Sequence, residues 1–163
     1  MNIVLSRFIN KLAFVCPGGN SLRVVLQRMR GVKVGDNVFI AQQVYFDELH
    51  PEAIEIGDNV TIGLRTSIFS HFYWGPRRKD EYAAVMIGSD VYVGPHCLIL
   101  PGVKIGEGAV IKGGTVVSRN VPPRVFYGMP NPEVLGQVTV PLTSEHGYQK
   151  FIAGLKPSRQ HTR

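Results

Sequence analysis

Histidines are the side chains of this sequence best suited to proton transfer at neutral pH, because imidazole titrates near pH 6.5. The chain has five of them: His50, His71, His96, His146 and His161. His71 has the most favourable place, since it lies directly before a long stretch rich in charged and aromatic residues. His96 lies in a Gly-Pro-His turn, where a polar residue serves packing or solvation. His71 is therefore the candidate general base and His96 its rival.

The elements that position these side chains follow from a repeat of six residues. A period of six fits neither an α-helix nor a simple alternating strand, and it is typical of short strands joined by turns in a solenoid. The inward residues of the repeat are expected to be Val34, Ile40, Phe46, Ile56, Ile62, Ile68, Ile87, Val93, Ile99, Ile105, Ile111 and Val117. The fifth position of each unit is small or β-branched, at Val38, Val44, Val60, Thr66, Val91, Cys97, Val103, Ala109, Thr115 and Val121. The sequence therefore predicts an all-β solenoid whose stacked coils bury a continuous aliphatic column.

Two insertions interrupt the repeat. Ten residues instead of six lead from Phe46 to Ile56, and nineteen lead from Ile68 to Ile87. The second insertion, at about 69–86, contains the single tryptophan of the chain, Trp74. Loops that protrude from a solenoid commonly carry its function. We therefore expect the site where this second loop leaves the coils.

The segments outside the repeat have helical patterns. Residues 3–15 place five apolar side chains on one helical face, Val4, Leu5, Phe8, Leu12 and Val15, with Arg7 and Lys11 opposite. After a break at 17–19, Ser21 is a candidate N-cap of a second helix with these residues inward: Leu22, Val25, Leu26 and Met29. Residues 144–155 are expected to form a last helix and the final eight to be disordered. This gives an N-terminal helical segment at 1–31, the solenoid at 32–123 and a C-terminal extension at 124–163.

The composition bounds the partners and the compartment. The formal net charge of +6 suggests an anionic partner, but the basic residues are dispersed and no groove-reading or stacking motif for nucleic acid is present. A small polyanionic ligand fits the charge equally well. No uncharged apolar run approaches the ~20 residues of a membrane span, and no cleavage pattern of a signal peptide follows the first helix. Cys16 and Cys97, 81 positions apart, read as reduced thiols of a cytoplasmic protein.

One run of the sequence resembles a known family. Residues 91–123, VYVGPHCLILPGVKIGEGAVIKGGTVVSRNVPP, resemble the hexapeptide-repeat acyltransferases, especially the maltose, galactoside and polysaccharide O-acetyltransferases. The resemblance covers about 34–134. It implies a left-handed parallel β-helix and a homotrimer with active sites between neighbouring subunits. It also implies transfer of an acetyl or other acyl group from acyl-coenzyme A to a hydroxyl or amine of a sugar, in polysaccharide or glycolipid modification, with acetyl-coenzyme A as donor and no metal.

The same resemblance implies roles for individual residues. His71 matches the catalytic histidine, which would deprotonate the acceptor and return the proton to the departing thiolate. The positions that match the binding of coenzyme A are Gly113, Gly114 and Thr115 for the pantetheine, and Ser118 and Arg119 for the nucleotide end, where Arg suits phosphate. Asp47 matches an acidic residue of the acceptor pocket. Together with Glu48 and Trp74 it is a candidate for binding the acceptor.

Three positions depart from the family pattern. Pro95 stands where relatives offer a backbone N–H toward the thioester oxygen, and Pro has none. The segment 128–132 lacks one phosphate-binding cation. An Asn that contacts sugar in relatives is replaced near Ala41. These departures affect the identity of the acceptor more than the use of the donor.

Three alternatives stay open. A metalloenzyme of the γ-carbonic anhydrase type needs three histidines on zinc and usually shows two of them five positions apart, a pair that is missing here. A non-catalytic β-helix scaffold would not need His71 or the loop beside it. Finally, the first helix can lie on a membrane surface instead of packing on the solenoid, which would place the protein at the inner membrane face.

Overall fold

The computed structural model describes residues 2–72, 82–143, 145 and 147–157. The chain divides into two compact units, Met1–Met129 and Pro130–Arg163. The first unit contains helix α1 (Ile3–Val15), helix α2 (Leu22–Met29) and a parallel β-helix. No helix within the described ranges is long and apolar enough to cross a membrane.

The β-helix has three parallel sheets, one on each side of the coil. The first sheet contains β1 (Lys33–Val34), β4 (Ile54–Ile56), β7 (Val85–Ile87) and β10 (Lys104–Ile105). The second contains β2 (Phe39–Ile40), β5 (Thr61–Ile62), β8 (Tyr92–Val93), β11 (Val110–Ile111) and β13 (Phe126–Tyr127). The third contains β3 (Tyr45–Phe46), β6 (Ser67–Ile68), β9 (Leu98–Ile99) and β12 (Val116–Val117). The first insertion forms a 3-10 turn, Pro51–Ala53.

The hexapeptide column predicted from the sequence is confirmed. Of the twelve inward positions, eleven are at most 3% exposed, and Val34 is half-buried. All ten fifth positions are also at most 3% exposed. The residues stack in register, so that Ile62 lies opposite Ile40 on one neighbouring strand and opposite Val93 on the other. Burying one such side chain stabilises the fold by roughly 1.5–3 kcal/mol, and the column is therefore the main source of stability.

The coil corners need special backbone geometry. Within each uninterrupted run of coils, positive φ angles recur every six residues, at Asn37 and Gln43, at Asn59 and Arg65, and at Asp90, His96, Gly102, Gly108 and Gly114. His96, with φ 58°, occupies the corner that Gln43, Arg65 and Gly114 fill in other coils. Close stacking requires glycine at a second set of positions, because a Cβ on Gly94 would lie 2.5 Å from the backbone nitrogen of Gly113.

The two N-terminal helices form where the sequence predicts them, but with the opposite face inward. The buried side chains of α1 are Ser6, Ile9, Asn10 and Ala13, and those of α2 are Arg23, Val24, Leu26 and Gln27. Of the four α2 residues expected inward, only Leu26 is buried, and that prediction is wrong for Leu22, Val25 and Met29. Ser21 stands at the N-cap but donates or accepts no capping hydrogen bond through its side chain.

The reason is that the helices cover main-chain carbonyl groups at the edge of the first coil. Buried carbonyl oxygens need donors, and apolar side chains supply none. Asn10 donates from Nδ2 to the carbonyl oxygen of Phe46 (3.1 Å), and Arg23 donates from Nη1 to that of Ile40 (2.7 Å). Polar side chains therefore face the β-helix, and the apolar face of each helix is left outward.

The end of the chain departs from the predicted boundaries. β13 pairs in parallel with β11, so the β-helix continues past residue 123. In the second unit, β14 (Gly136–Val138) pairs antiparallel with β15 (Leu155–Pro157), and helix α3 (Gly147–Ala153) lies between them in sequence. The expectation of disorder is wrong for Lys156 and Pro157, which belong to β15. Residues 158–163 lie outside the described residues.

Candidate active site

Coil stacking brings the two best candidates for chemistry together. Asp47 follows β3 and His71 follows β6, and these strands are neighbours in the third sheet with Phe46 opposite Ile68. The first insertion begins at Asp47, and the second begins just before His71. Both loops therefore leave the β-helix at the same corner, one coil apart.

The carboxylate of Asp47 accepts five hydrogen bonds. Oδ2 accepts from the backbone N–H groups of Ser70 (2.8 Å) and His71 (2.9 Å) and lies 2.5 Å from His71 Nδ1. Oδ1 accepts from the backbone N–H groups of Leu49 (2.8 Å) and His50 (3.2 Å). The Asp47 side chain is 0% exposed, whereas that of His71 is 15% exposed. The site thus holds a wholly buried acid against a partly accessible base.

Asp47 is ionised in this environment. Burial by itself raises the pKa of the carboxyl group, but hydrogen bonds from the N–H groups of Leu49, Ser70 and His71 and from the His71 ring outweigh it. The pKa is thereby held below its ordinary value of 3.8. An ionised carboxylate only accepts hydrogen bonds, so Nδ1 of His71 must carry a proton. In the neutral ring the lone pair is then on Nε2, which is the atom able to act as a base.

The loop ends beside the pair are tied to one another. Ser70 donates from Oγ to the carbonyl oxygen of His50 (2.8 Å), which joins the second loop to the first. The His50 ring stacks on Tyr82 with a centroid distance of 4.6 Å, and its Nδ1 lies 3.1 Å from Glu52 Oε1. Tyr82 also forms an isolated antiparallel bridge with His71. Both ends of the second insertion are therefore held near the Asp47–His71 pair.

Glu48 and Trp74 are the other residues predicted to bind the acceptor, and His96 is the rival candidate for the base. Glu48 follows Asp47, is 29% exposed and forms an ion pair with Arg7 at 3.4 Å. Trp74 lies outside the described residues. His96 is exposed at its coil corner and donates its backbone N–H to the carbonyl oxygen of Leu64 (2.8 Å).

The residues predicted to bind coenzyme A occupy two corners. Ser118 and Arg119 are exposed and follow β12, at the same corner as His71 and two coils further along, which is about 10 Å at the usual strand spacing. Gly113 and Gly114 are exposed at the turn between β11 and β12, while Thr115 is buried and donates from Oγ1 to the carbonyl oxygen of Lys112 (2.6 Å).

A separate cavity of about 420 Å³ lies on the first sheet, beside β7 and β10. None of the site residues predicted from the sequence lines it. The thiol of Cys97 is buried in the coil between β8 and β9, and this burial raises its pKa. Neither feature brings a reactive side chain to the Asp47–His71 pair.

The sequence reading missed the coupling of Asp47 to His71 and the roles of Ser70 and Arg30. Arg30 is buried and donates from Nη2 to the carbonyl oxygen of Asp47 (2.6 Å). The repeat contained the signal for the first of these. Phe46 and Ile68 are equivalent positions of successive coils, so the residues that follow them must lie side by side.

Comparisons with known proteins agree with this architecture. Residues 84–119 match the family model described as bacterial transferase hexapeptide (six repeats). The protein named "Putative acetyltransferase YvoF" from Bacillus subtilis is 41% identical over 97 residues, which are 60% of this chain and 55% of that protein. Galactoside O-acetyltransferase from Escherichia coli is 31% identical over 115 residues, 56% of this chain and 57% of that protein. The chain thus spans about half the length of the curated relatives it matches.

A solved structure shows the same fold. The hexapeptide-repeat-containing acetyltransferase VCA0836 from Vibrio cholerae, complexed with acetyl coenzyme A, superposes with a TM-score of 0.58 at 24% identity over 74% of this chain and 78% of that one. Residues 84–119 are thus similar to the hexapeptide repeats of bacterial transferases. The first unit contains a left-handed parallel β-helix, as the sequence resemblance implied.

Metal ligation, as in the γ-carbonic anhydrases, is the other chemistry that a β-helix of this kind can support. Within the part of the chain that the structure describes, no group of three His, Cys, Asp or Glu side chains is placed to hold a metal ion.

We predict that Asp47→Asn destabilises the protein by about 3 kcal/mol at neutral pH, because an amide cannot accept all the hydrogen bonds that the ionised carboxylate accepts. The folded-state pKa of Asp47 lies below its ordinary value of 3.8, so the carboxylate stabilises the fold above that pH and ceases to do so as the pH falls through the folded-state pKa. Urea unfolding at a series of pH values should show the difference between parent and variant constant near pH 6 and shrinking below about pH 4.

The matched control is Asp36→Asn, because the Asp36 side chain is 98% exposed. It should change the free energy of unfolding by less than about 0.5 kcal/mol at any pH. A difference between parent and Asp47→Asn that did not depend on pH would contradict an ionised, structurally engaged Asp47.

Proposed function

We propose that this protein is an acyltransferase that moves an acetyl or other acyl group from acyl-coenzyme A to a hydroxyl or amine. The observation that carries the proposal is the buried Asp47–His71 pair, at the corner of a hexapeptide β-helix where two loops emerge. A thioester is already an activated acyl donor, so the enzyme mainly needs a base for the acceptor. One oriented histidine meets that requirement without a metal.

The geometry defines the role of each partner. Nε2 of His71 takes the proton from the acceptor, whose oxygen or nitrogen attacks the thioester carbonyl carbon. When the C–S bond breaks, the same proton passes to the departing thiolate. The Asp47 carboxylate, wholly buried, holds the ring and stabilises its positive charge. In this proposal Asp47 positions the base. The resemblance to the family had implied a different role, in which Asp47 binds the acceptor.

We predict that His71→Ala lowers the rate of transfer by about 10²–10⁴-fold, since this is the usual loss on removal of a general base. His96→Asn should leave the rate nearly unchanged, because Asn tolerates a positive φ, as Asn37 and Asn59 do at another corner of the β-helix. Release of free coenzyme A from acetyl-coenzyme A, measured with a panel of sugars and amines, checks both variants once circular dichroism shows that they fold. Loss of activity in His96→Asn with retention in His71→Ala would refute the assignment. A parent that transfers to no acceptor would favour a non-catalytic scaffold.

The proposed donor is acetyl-coenzyme A, with which the similar VCA0836 from Vibrio cholerae forms a complex. In support, Arg119 is exposed at the corner that carries His71, about 10 Å away along the coils, with Ser118 beside it. The guanidinium of Arg119 suits a phosphate of the nucleotide end. Gly114 leaves open space for a pantetheine chain, since no atom lies within 4 Å of a Cβ built on it, whereas a Cβ on Gly113 would lie 3.1 Å from the carbonyl oxygen of Pro95.

We predict that Arg119→Ala raises the KM for acetyl-coenzyme A several-fold with little change in kcat, because a phosphate contact far from the reacting atoms binds ground state and transition state alike. Lys33→Ala, on the first coil, is the control and should leave KM unchanged. Steady-state kinetics with acetyl-coenzyme A and 3′-dephospho-coenzyme A derivatives identify the phosphate concerned. An unchanged KM would mean that Arg119 only faces solvent.

The proposed acceptor is a sugar of a polysaccharide or glycolipid. The similarity to galactoside O-acetyltransferase supports a sugar hydroxyl. The rim of the site supports it as well, since Glu48 is partly exposed and the His50–Tyr82 stack lies beside His71. Carboxylate and aromatic groups of this kind commonly contact the hydroxyl and C–H faces of a sugar.

We also propose that the protein is a homotrimer. The outer face of the second sheet supports this, because it carries four exposed apolar side chains, Phe39, Tyr92, Val110 and Phe126, with Thr61 in register between the first two. An apolar row on the long side of a solenoid is suited to a lateral interface between copies.

Light scattering should give a mass near 54 kDa, three times the 18.0 kDa of the chain. Val110→Glu should yield a species of lower mass, because it buries a charge in the proposed interface. A parent that is monomeric at micromolar concentration would rule out an active site shared between subunits.

Finally, we propose that the protein is cytoplasmic and associates peripherally with the inner membrane face. The first 35 residues contain six Lys and Arg and no Asp or Glu, and four of these cations, Arg7, Lys11, Arg28 and Lys33, are exposed. The same segment exposes the apolar faces of α1 and α2, with Val4 70%, Phe8 66% and Val15 65% exposed. An apolar helix face in a cationic segment is complementary to an anionic lipid surface.

Vesicles of phosphatidylcholine with and without phosphatidylglycerol test this association. The parent should co-sediment with the anionic vesicles, and a variant with Val4, Phe8 and Val15 replaced by Ser should lose at least tenfold in binding. The control replaces Val134 and Leu135 by Ser, which are 79% and 81% exposed in the second unit. A different result is that the parent fails to bind vesicles while the helix variant forms a smaller assembly than the parent in light scattering. That result would mean that the apolar face of α1 contacts a second copy of the chain.

A further inference from the structure

Arg30 is a buried cation whose hydrogen bonds all go to neutral acceptors. It stands at the C-cap of α2 and is 4% exposed. Nη2 donates to the carbonyl oxygen of Asp47 (2.6 Å), and Nη1 donates to Gln27 Oε1 (2.6 Å) and Asn10 Oδ1 (2.8 Å). Nε donates to Ser6 Oγ (3.3 Å). No carboxylate within the described residues forms an ion pair with Arg30 among these contacts.

A buried cation without an anionic hydrogen-bond partner destabilises the fold when it is considered by itself. Burial withdraws the guanidinium from water and lowers the pKa of Arg30 to about 10, although the nearby negative groups Glu48 and Asp47 raise it. The group therefore stays charged at neutral pH. An apolar side chain at this position would avoid that cost, but it would leave the carbonyl oxygen of Asp47 without this donor. The presence of Arg30 calls for a role that an apolar residue cannot take.

The acceptors of its hydrogen bonds indicate the role of Arg30. Asn10 donates from Nδ2 to the carbonyl oxygen of Phe46 (3.1 Å), and Gln27 donates from Nε2 to Asn10 Oδ1 (3.3 Å). The carbonyl groups of Phe46 and Asp47 are thus held by side chains of the two helices. On the other side, the N–H of Asp47 donates to the carbonyl oxygen of Ile68 (3.0 Å). The main chain is fixed on both sides of the carboxylate that holds His71.

We propose that Arg30, supported by Asn10 and Gln27, is a positioning residue for the Asp47–His71 pair. The inference deepens the proposed function and rests on it. Arg30 touches neither donor nor acceptor; it fixes the peptide of Asp47, and Asp47 in turn fixes the ring of His71. A carboxylate held at 2.5 Å from Nδ1 keeps the proton on that nitrogen, whereas a displaced carboxylate lets the ring rotate or change tautomer.

The same helix provides a matched control. Arg23 is 5% exposed and also donates to main-chain carbonyl groups, from Nε to Cys16 (2.8 Å) and from Nη1 to Ile40 (2.7 Å). Ile40 ends β2 in the second sheet, away from the corner that carries Asp47. Arg23 and Arg30 therefore share residue type, burial and the task of binding carbonyl oxygens, and they differ in whether the bound carbonyl belongs to the site.

The experiment compares Arg30→Met, Arg30→Lys and Arg23→Met with the parent protein. Thermal unfolding reports the structural cost of each change. Arg30→Met should lower kcat by about 10–100-fold with KM for acetyl-coenzyme A within twofold, which is the effect expected of a misplaced base. Arg30→Lys, which keeps the charge but reaches fewer acceptors, should recover part of the loss. Arg23→Met should keep the parent kcat at a temperature where it is folded.

A second readout does not depend on activity. Long-range ¹H–¹⁵N correlation spectra of the ring nitrogens report which nitrogen of His71 carries the proton. Parent and Arg23→Met should show the Nδ1–H form at a pH where the ring is neutral, and Arg30→Met should show a mixture or the Nε2–H form. If the parent transfers no acyl group, the proposed function fails, and the spectra still decide the inference.

The outcomes separate a positioning role from a merely structural one. Equal losses of kcat in Arg30→Met and Arg23→Met, or an unchanged kcat and tautomer in Arg30→Met, would overturn the proposal. If Arg30→Met does not fold, Arg30→Lys decides by the same two measurements, and parent-like kcat with a parent-like tautomer would overturn it. A selective loss at Arg30 with a changed tautomer supports it.

Discussion

The stacking of each coil on the next, in register, is the constraint on which the rest of this structure depends. Phe46 lies opposite Ile68 because the aliphatic column allows no slip: shifting one coil by one residue would turn its inward side chains out. That register alone places Asp47 beside the turn that carries His71. The Asp47–His71 pair is thus a consequence of core packing, and its precision is that of a stack of strands and not of a loop.

The edge of the stack sets a second requirement. The first coil has no coil before it, so part of its main chain must find partners elsewhere. Helices α1 and α2 supply them through Asn10, Arg23 and Arg30, which donate to carbonyl groups of that coil. Because the donors occupy the inner faces, the apolar side chains of both helices are displaced outward. One need of the β-helix thereby accounts for the polar interior of the helices and for the exposed apolar surface.

These two requirements explain what could be predicted from the sequence. The hexapeptide column was readable because every unit buries the same positions, and Ile62 or Ile99 obeys a rule that recurs along the chain. The position of His71 at the start of an insertion was also readable from the sequence. The inward face of α2 could not be predicted from the sequence. Its apolar pattern is that of a helix on an apolar core, and the carbonyl groups that it covers have no signature in the sequence. The role of Arg30 depends on contacts 17 and 20 positions away and was invisible for the same reason.

The corner around Asp47 combines two buried charges that do not touch through their charged atoms. The carboxylate of Asp47 is satisfied by N–H groups and by His71, while Arg30 binds the carbonyl oxygen of the same residue. Had Arg30 paired directly with the carboxylate, Oδ2 would be shared and the hold on Nδ1 of His71 would weaken. Binding the main chain instead leaves the carboxylate wholly engaged with the loop that carries the base. His71 therefore has a fixed, negatively charged partner in Asp47. Arg30 fixes Asp47 without binding its carboxylate, whose charge would stabilise the protonated ring of His71 in the proposed function.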